Sequence, residues 1–249
     1  MKYQAYFVTC LLTAMLAWFG SVLLGVPFWA VLGLVMPGLA LAQMYAANRF
    51  NGRASLECEP VPLTGYEMRL DRLEVARLDF DQLGFQKTDE FYLRMACDVV
   101  TFVHQHTHEP LYLCDYHFGQ MVGVDLITYF EDDITLTTTT MQSGGTVPRQ
   151  PKSLLQVIQH RSPAEVFAYH QHAVDFIKGR GVRPVYVPYL TFKERFMQSI
   201  REFFRRTRNP LWSVKFIYWH FTRRGKIYMK PIQEQYLAGT IRIFKTAVS

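Results

Sequence analysis

Residues 104–108 read His-Gln-His-Thr-His. On a β-strand alternate side chains share a face, so His104, His106 and His108 offer a row of imidazoles. A catalytic zinc ion takes about three such ligands and a water, and Cys114 or His117 on a following strand is in range to add a fourth. The opposing reading is a strand end running into a turn at Glu109-Pro110, which takes His108 out of the row. No further His-Asp-Glu motif supports a metal. The sequence therefore calls for no cofactor, and His104, His106 and Cys114 remain the metal candidates.

The other side chains with chemical potential have structural readings. His170 falls among apolar residues on a helix face and reads as a core imidazole satisfied by hydrogen bonds, not a general base. His172 projects elsewhere, and the pair lacks the i, i+4 spacing of helical metal ligands. Glu131-Asp132-Asp133 lacks the oxygen-ligand alternation and the glycine of a calcium loop, so it reads as a hairpin turn. Ser143-Gly144-Gly145 lacks the lysine and the following helix of a phosphate loop. Nucleophile-elbow, Walker and HExxH patterns are absent. No catalytic residue can be named, and the chain reads as a non-enzymatic protein ahead of an enzyme.

Placement comes from the first fifty residues. Tyr3 to Asn48 is a run of 46 positions without a charged side chain, where one spanning helix needs only about 20. Gly25-Val26-Pro27 divides it into helices over about 5–24 and 28–47. Pro37 is positioned to kink the second. Trp18, Phe28 and Trp29 near the turn suit a membrane interface. Ala40-Leu41-Ala42 resembles a signal-peptide cleavage site, but the preceding run is far longer than the ~7–15 residues of such a segment. The expectation is a two-helix transmembrane hairpin over residues 1–50. Lys2, Arg49 and Arg53 flank it and the turn carries no base, which places both termini in the cytoplasm of a bacterial inner-membrane protein. Cys10, Cys58, Cys97 and Cys114 are scattered with no CxxC pair, as in a reducing compartment.

A linker over 51–63 leads to an α+β domain over 64–189. Thr64 and Glu67 have capping-box spacing, Leu63 and Met68 that of a hydrophobic staple. Leu70, Leu73, Ala76, Phe80 and Leu83 recur at helical intervals, and Gly84 is a left-handed stop before Phe85. From Phe91 to Thr140, β-branched and aromatic runs alternate with turn signals, predicting an antiparallel meander of four or five strands. LLQVIQH offers one more. Ser162, Pro163 and Glu165 mark the start of a helix that buries Val166, His170, Ala173, Val174 and Ile177 and ends at Gly179. Helices packed on such a sheet make an α+β layer.

Leu83-Gly84-Phe85, Thr128-Tyr129-Phe130-Glu131-Asp132 and Thr137-Thr138-Thr139, followed by the capped helix, resemble a group of uncharacterised bacterial proteins. That group pairs LGF with a T-x-F-x-D … L-T-T strand hairpin. The resemblance covers roughly residues 70–178. It implies the fold, and the group has no assigned activity to carry over.

The net charge is +6, yet residues 190–230 hold eleven Lys and Arg against two Glu, a local +9. This basic aromatic segment, 190–249, reads as amphipathic helices. Thr191 and Glu194 form a capping box for the first, which runs to about Thr207 with Phe192, Phe196, Ile200, Phe203 and Phe204 on one face. After Asn209-Pro210 a second helix carries Trp212, Phe216 and Trp219. Arg205, Arg206, Arg208, Trp212, Trp219, Arg223, Arg224 and Lys226 form the expected contact surface. Anionic lipid headgroups of the bilayer fit it, as does a protein partner or a second copy of the chain. Nucleic acid fits less well, because no recognition motif is present. The sequence thus points to a membrane-anchored cytoplasmic interaction or scaffold module. The alternative is a membrane-bound metal-dependent or hydrolytic enzyme with its site near His104 and His106. A small transporter ranks last, since no charged residue lies within the spans.

Overall fold

The computed structural model describes residues 15, 18–51, 57–62, 64–94, 98–118, 121–141, 152–207, 218 and 226–243. The chain divides into two compact units. One comprises Met1–Arg53 with Phe204–Val214, the other Ala54–Phe203 with Lys215–Ser249.

The larger unit is α+β. Its helices are α2 (Glu67–Gln82), α3 (Pro163–Lys178), α4 (Tyr189–Thr207), whose last residues from Phe204 belong to the smaller unit, and the short α5 (Ile232–Leu237). Its strands are β1 (Phe85–Leu93), β2 (Val99–His106), β3 (Leu111–Phe118), β4 (Met121–Tyr129), β5 (Thr135–Thr139) and β6 (Ser153–Val157). They form one six-stranded sheet in the order β1-β2-β3-β4-β5-β6. The first five make the antiparallel meander expected from the alternating runs. The sheet as a whole is mixed, because β6 returns parallel to β5 with Thr135 opposite Ser153. A parallel neighbour needs a crossover longer than a hairpin turn, and the chain between Thr139 and Ser153 provides one.

Local chemistry sets several boundaries. Gly84 takes a φ of +85° and its amide donates to Asp81 O, so α2 stops there. The chain enters β1 at Phe85, six residues before the expected strand start. At the other end of α2 the expected capping box does not form. Tyr66 is the N-cap, without a side-chain cap bond. The Glu67 carboxylate accepts from Gly65 N instead. Leu63 lies outside the described residues, and Met68 is exposed. Helix α3 matches its sequence signature: Ser162 and Glu165 make the reciprocal capping box with Pro163 in the first turn. Asp132 and Asp133, with φ near +60°, close the β4–β5 turn in the left-handed region that aspartate tolerates.

Strand alternation gives the sheet two covered faces. Helices α2 and α3 lie on the first. Leu73 packs with Tyr92, Val100 and Phe102, Phe80 and Val166 with Phe85, Leu113 and Leu126, and Ala173, Val174 and Ile177 with Leu136 and Leu154. The beginning of α4 lies on the second, where Phe192 stacks on Tyr112 at 4.0 Å and Phe196 reaches Phe91. Each fully buried side chain of this size contributes about 1.5–3 kcal/mol. Helix α4 starts at Tyr189, two residues before the expected cap at Thr191, with Phe192 N donating to Pro188 O.

In the smaller unit residues 18–24 are helical and a turn at Gly25, φ +62°, leads into α1 (Phe28–Asn51). A Cβ on Gly20 would stand 3.1 Å from Val31 Cγ1, so the two helical segments approach closely behind the turn. Among the described residues no helix is long and apolar enough to cross a membrane. The described apolar surface is shorter than the charge-free run in the sequence. The side chains at 34–37, 40, 43–44 and 47–51 of α1 lie outside the described set.

Candidate functional site

Strand β2 sends His104 and His106 to the face covered by α2 and α3. There His104 stands opposite Leu113 and His106 opposite Phe85. Cys114 stands opposite Val103 on the other face, so the pleat separates it from both imidazoles and it cannot complete their ligand set. His108 lies in the bend after β2. The ring of His106 stacks on Phe167, and its Nδ1 accepts from the backbone amides of His108 and Glu109 at 3.2 and 3.0 Å. This bond places the proton on Nε2 and occupies the lone pair a metal would need at Nδ1. His106 is a cap for its own turn.

His104 is fully buried between Phe80 and Phe102. Neither of its nitrogens has a hydrogen-bond partner among the described residues. Burial pulls its pKa down to about 4, so it is neutral at pH 7. Asp115 shares that face and is also fully buried, with neither carboxylate oxygen partnered among the described residues. Burial pushes its pKa up to about 7. His117 follows two residues later on the same strand. The three form a line, not a cluster. His104 is level with Leu113, and His117 is four residues further along β3, about 13 Å at strand rise. Among the described residues no group of three His, Cys, Asp or Glu side chains is placed to hold a metal ion.

His170 lies on the expected apolar face of α3, fully buried. Its Nε2 is 2.9 Å from Thr128 Oγ1 and its Nδ1 2.7 Å from Thr138 Oγ1. The Gln156 amide donates to Thr138 Oγ1 and to Tyr169 O and accepts from Ile232 N. This ladder ties β4, β5, β6, α3 and α5 together through polar groups that are all paired. Desolvation lowers the His170 pKa to about 3, so the ring is a neutral strut.

A constellation that sequence reading missed sits on the other face. The ladder between β1 and β2 shifts register between Lys87 and Asp89. Such a bulge redirects a side chain, and Asp89 meets α4. Tyr189 donates its hydroxyl hydrogen to Asp89 Oδ2, and Lys193 Nζ reaches the same oxygen at 2.7 Å. Burial raises the Asp89 pKa, but the bonds from Lys193, Tyr189 and the Glu90 amide outweigh it and hold the carboxylate below its ordinary range. The one sequence signal was the i, i+4 spacing of Tyr189 and Lys193. Nothing local pointed to Asp89, a hundred residues earlier. Beside this clip lies an open depression of about 450 Å³ bordered by Glu57, Cys58, Lys193 and Arg201. Burial raises the Cys58 thiol pKa, so it is a poor nucleophile.

Of the basic segment, Arg205 and Arg206 are exposed in the last turn of α4, opposite buried Phe204. Lys226 is exposed just before a turn at Ile227–Met229. Arg208, Trp212, Trp219, Arg223 and Arg224 lie outside the described residues. The phenylalanines Phe192 and Phe196 serve the sheet, which answers for the first half of the helix: that apolar face is core. Comparison with family models, curated proteins and solved structures finds no match.

Proposed function

We propose that the protein is a membrane-anchored interaction module. Residues 1–50 enter the bilayer as a two-helix hairpin, and the α+β unit is held on the cytoplasmic side of the cell inner membrane. The basic segment from Arg205 and Arg206 through Arg208, Trp212, Trp219, Arg223, Arg224 and Lys226 meets anionic headgroups.

One observation carries this reading. Around the first turn Trp18, Phe19, Val22, Leu23, Leu24 and Trp29 all point outward, between 60 and 76 % exposed. Soluble surfaces scatter such residues singly, and a contiguous set marks a surface made for lipid or a partner. Burying each in hydrocarbon contributes about 1.5–3 kcal/mol. The charge-free run of 46 residues in the sequence favours lipid. Arg205 and Arg206 belong to the same compact unit as these residues, and each base near an anionic leaflet adds about 1 kcal/mol.

The test is fractionation of bacterial cells producing the full chain. The protein is expected to stay in the membrane pellet through an alkaline carbonate wash and to leave it when residues 1–53 are deleted. Release of the intact chain by carbonate would overturn the anchor. For the basic segment, the full chain carrying W18F and W29F is placed in nanodiscs with brominated lipid. Quenching of the remaining tryptophan emission, stronger with anionic than with neutral lipid, is expected. No quenching would reassign the segment to a protein partner.

A further inference from the structure

A cavity of about 70 Å³ lies on the first face of the sheet, between the end of α2 and the start of α3. Its walls are apolar: Phe80 from α2, Phe85, Leu113 and Leu126 from the sheet, and Val166 and Phe167 from α3. The polar side chains in its lining are Thr140 and Arg161. All of these residues belong to the larger unit, so the cavity is complete within it.

Both polar groups keep unused donors. Thr140 Oγ1 accepts from Val124 N at 2.9 Å, and its hydroxyl hydrogen has no acceptor among the described residues. Arg161 gives one N–H to Glu165 Oε1 at 3.2 Å. The rest of its guanidinium fork makes no bond among the described residues. Glu165 is committed to the start of α3, where its other oxygen accepts from Ser162 N and Oγ. The Arg161 side chain is 49 % exposed, so the cavity meets solvent at the cationic end. Size sets the rest of the ligand. An apolar cavity stays dry and takes an apolar group. A water-sized group, which a methyl or methylene resembles, fills roughly 30 Å³. The cavity therefore has room for about two or three carbons.

We infer that this cavity binds a small carboxylate with a short alkyl chain, about four or five carbons in all. The alkyl end lies among Phe80, Leu113 and Phe167, and the carboxylate accepts from Arg161 and Thr140. A guanidinium fork suits a carboxylate because it can offer two parallel N–H donors. A neutral molecule of the same shape fills the cavity and leaves Arg161 without its anion. Acetate pairs with Arg161 and leaves the cavity unfilled. The site needs neither the bilayer nor the basic segment.

The experiment titrates the full chain in detergent micelles and follows the methyl resonances of its Leu, Val and Ile residues. Three probes are compared: isovalerate, isopentanol with the same body and no charge, and acetate with the charge and no body. Isovalerate is expected to move the methyl signals of Leu113, Leu126 and Val166 and to leave those of Val100 and Ile177, elsewhere on that face, in place. Isopentanol and acetate are expected to bind at least about tenfold more weakly. R161Q is expected to remove the advantage of isovalerate over isopentanol. It breaks only an exposed ion pair, which the fold tolerates. Equal affinity for isovalerate and isopentanol would make the cavity a reader of shape alone and overturn the carboxylate. Equal affinity for isovalerate and acetate would reduce the site to ion pairing at the surface, and also overturns it. So does an advantage unchanged in R161Q, or the absence of shifts at Leu113, Leu126 and Val166. The comparison of the three probes needs no variant.

Discussion

The Thr138 hydroxyl lies 2.7 Å from Nδ1 of His170, and its neighbours fix the direction of that bond. Ile232 N can only donate, so it meets Gln156 Oε1 and orients the amide. The Gln156 nitrogen then donates to Thr138 Oγ1. A hydroxyl oxygen can accept twice, but the buried Thr138 proton has no acceptor other than His170 Nδ1 among the described residues, so it goes there. The imidazole proton therefore sits on Nε2 and points to Thr128 Oγ1. Nitrogen chemical shifts of His170 are expected to show an unprotonated Nδ1 at neutral pH. Thr138→Val leaves the Gln156 N–H and His170 Nδ1 without their partner, and is expected to cost about 2–3 kcal/mol in denaturant unfolding of the full chain in detergent. A protonated Nδ1, or a cost below about 0.5 kcal/mol on the same scale, would sink this account.

Two buried imidazoles and one buried acid set opposing slopes of stability against pH. His104 and His170 have folded pKa values lowered to about 4 and about 3, against about 6.5 unfolded. Unfolding takes up their protons below that value, so their contribution is present above pH ~6.5 and is lost as pH falls. Asp115 is raised to about 7 from about 3.9 unfolded, so its contribution is present at low pH and is lost as pH rises toward 7. Between about pH 4 and 6.5 the two uptakes oppose one release, a net single proton worth about 1.4 kcal/mol per pH unit, and His106, whose pKa burial also lowers, steepens the rise of stability with pH. Above that range only Asp115 still acts, and stability falls slightly. A maximum near pH 6.5 is expected in denaturant midpoints. Asp115→Asn should steepen the acid limb and flatten the neutral one; an unchanged profile in that variant would contradict the assignment.

The glycines after α2 and α3 look alike in sequence and differ in backbone. Gly84 has a φ of +85°, and an added Cβ would meet His106 Nε2 at 3.1 Å. Gly179 has a φ of −59°, with its nearest prospective contact at 3.4 Å. Gly84→Ala is expected to destabilise by about 1–2 kcal/mol from the left-handed backbone alone. Gly179→Ala is expected to be neutral or to stabilise by up to about 1 kcal/mol. Melting of the two variants side by side checks the contrast, and similar losses in both would refute it.

What could be read in the sequence was what neighbours in the chain decide. The buried face of α3 followed from a capping box and a 3.6-residue period, and the meander from strands joined by short turns. The stop at Gly84 followed from one residue type. Contacts between distant segments stayed hidden. The parallel placement of β6 depends on a long crossover that leaves no local mark. Thr64 and Thr191 carried cap spacing, yet α2 and α4 begin where Gly65 and Pro188 supply the first bonds. Cys114 seemed close to His104 and His106 until strand register put it on the opposite face. Neither the linear run of His104, Asp115 and His117 nor the clip on Asp89 has any short-range pattern.

The Asp89 clip ties the first turns of α4 to β1. Asp89 and Lys193 are roughly a third exposed, with side-chain accessibilities of 28 and 31 %, so solvent screens their attraction. A double-mutant cycle with D89A and K193A is expected to give a coupling of about 0.5–1 kcal/mol, nearer to a surface pair than to a buried one. Asp89→Ala alone should cost more, about 1–3 kcal/mol, because Tyr189 also loses its acceptor. The loss should be local: amide exchange is expected to quicken from Phe192 to Phe196, where α4 rests on Tyr112 and Phe91. Exchange in α3, held by its capping box and by His170, should not change. Uniform acceleration throughout the larger unit would mean that Asp89 supports the whole sheet, and that the first turns of α4 have no independent hold on its second face.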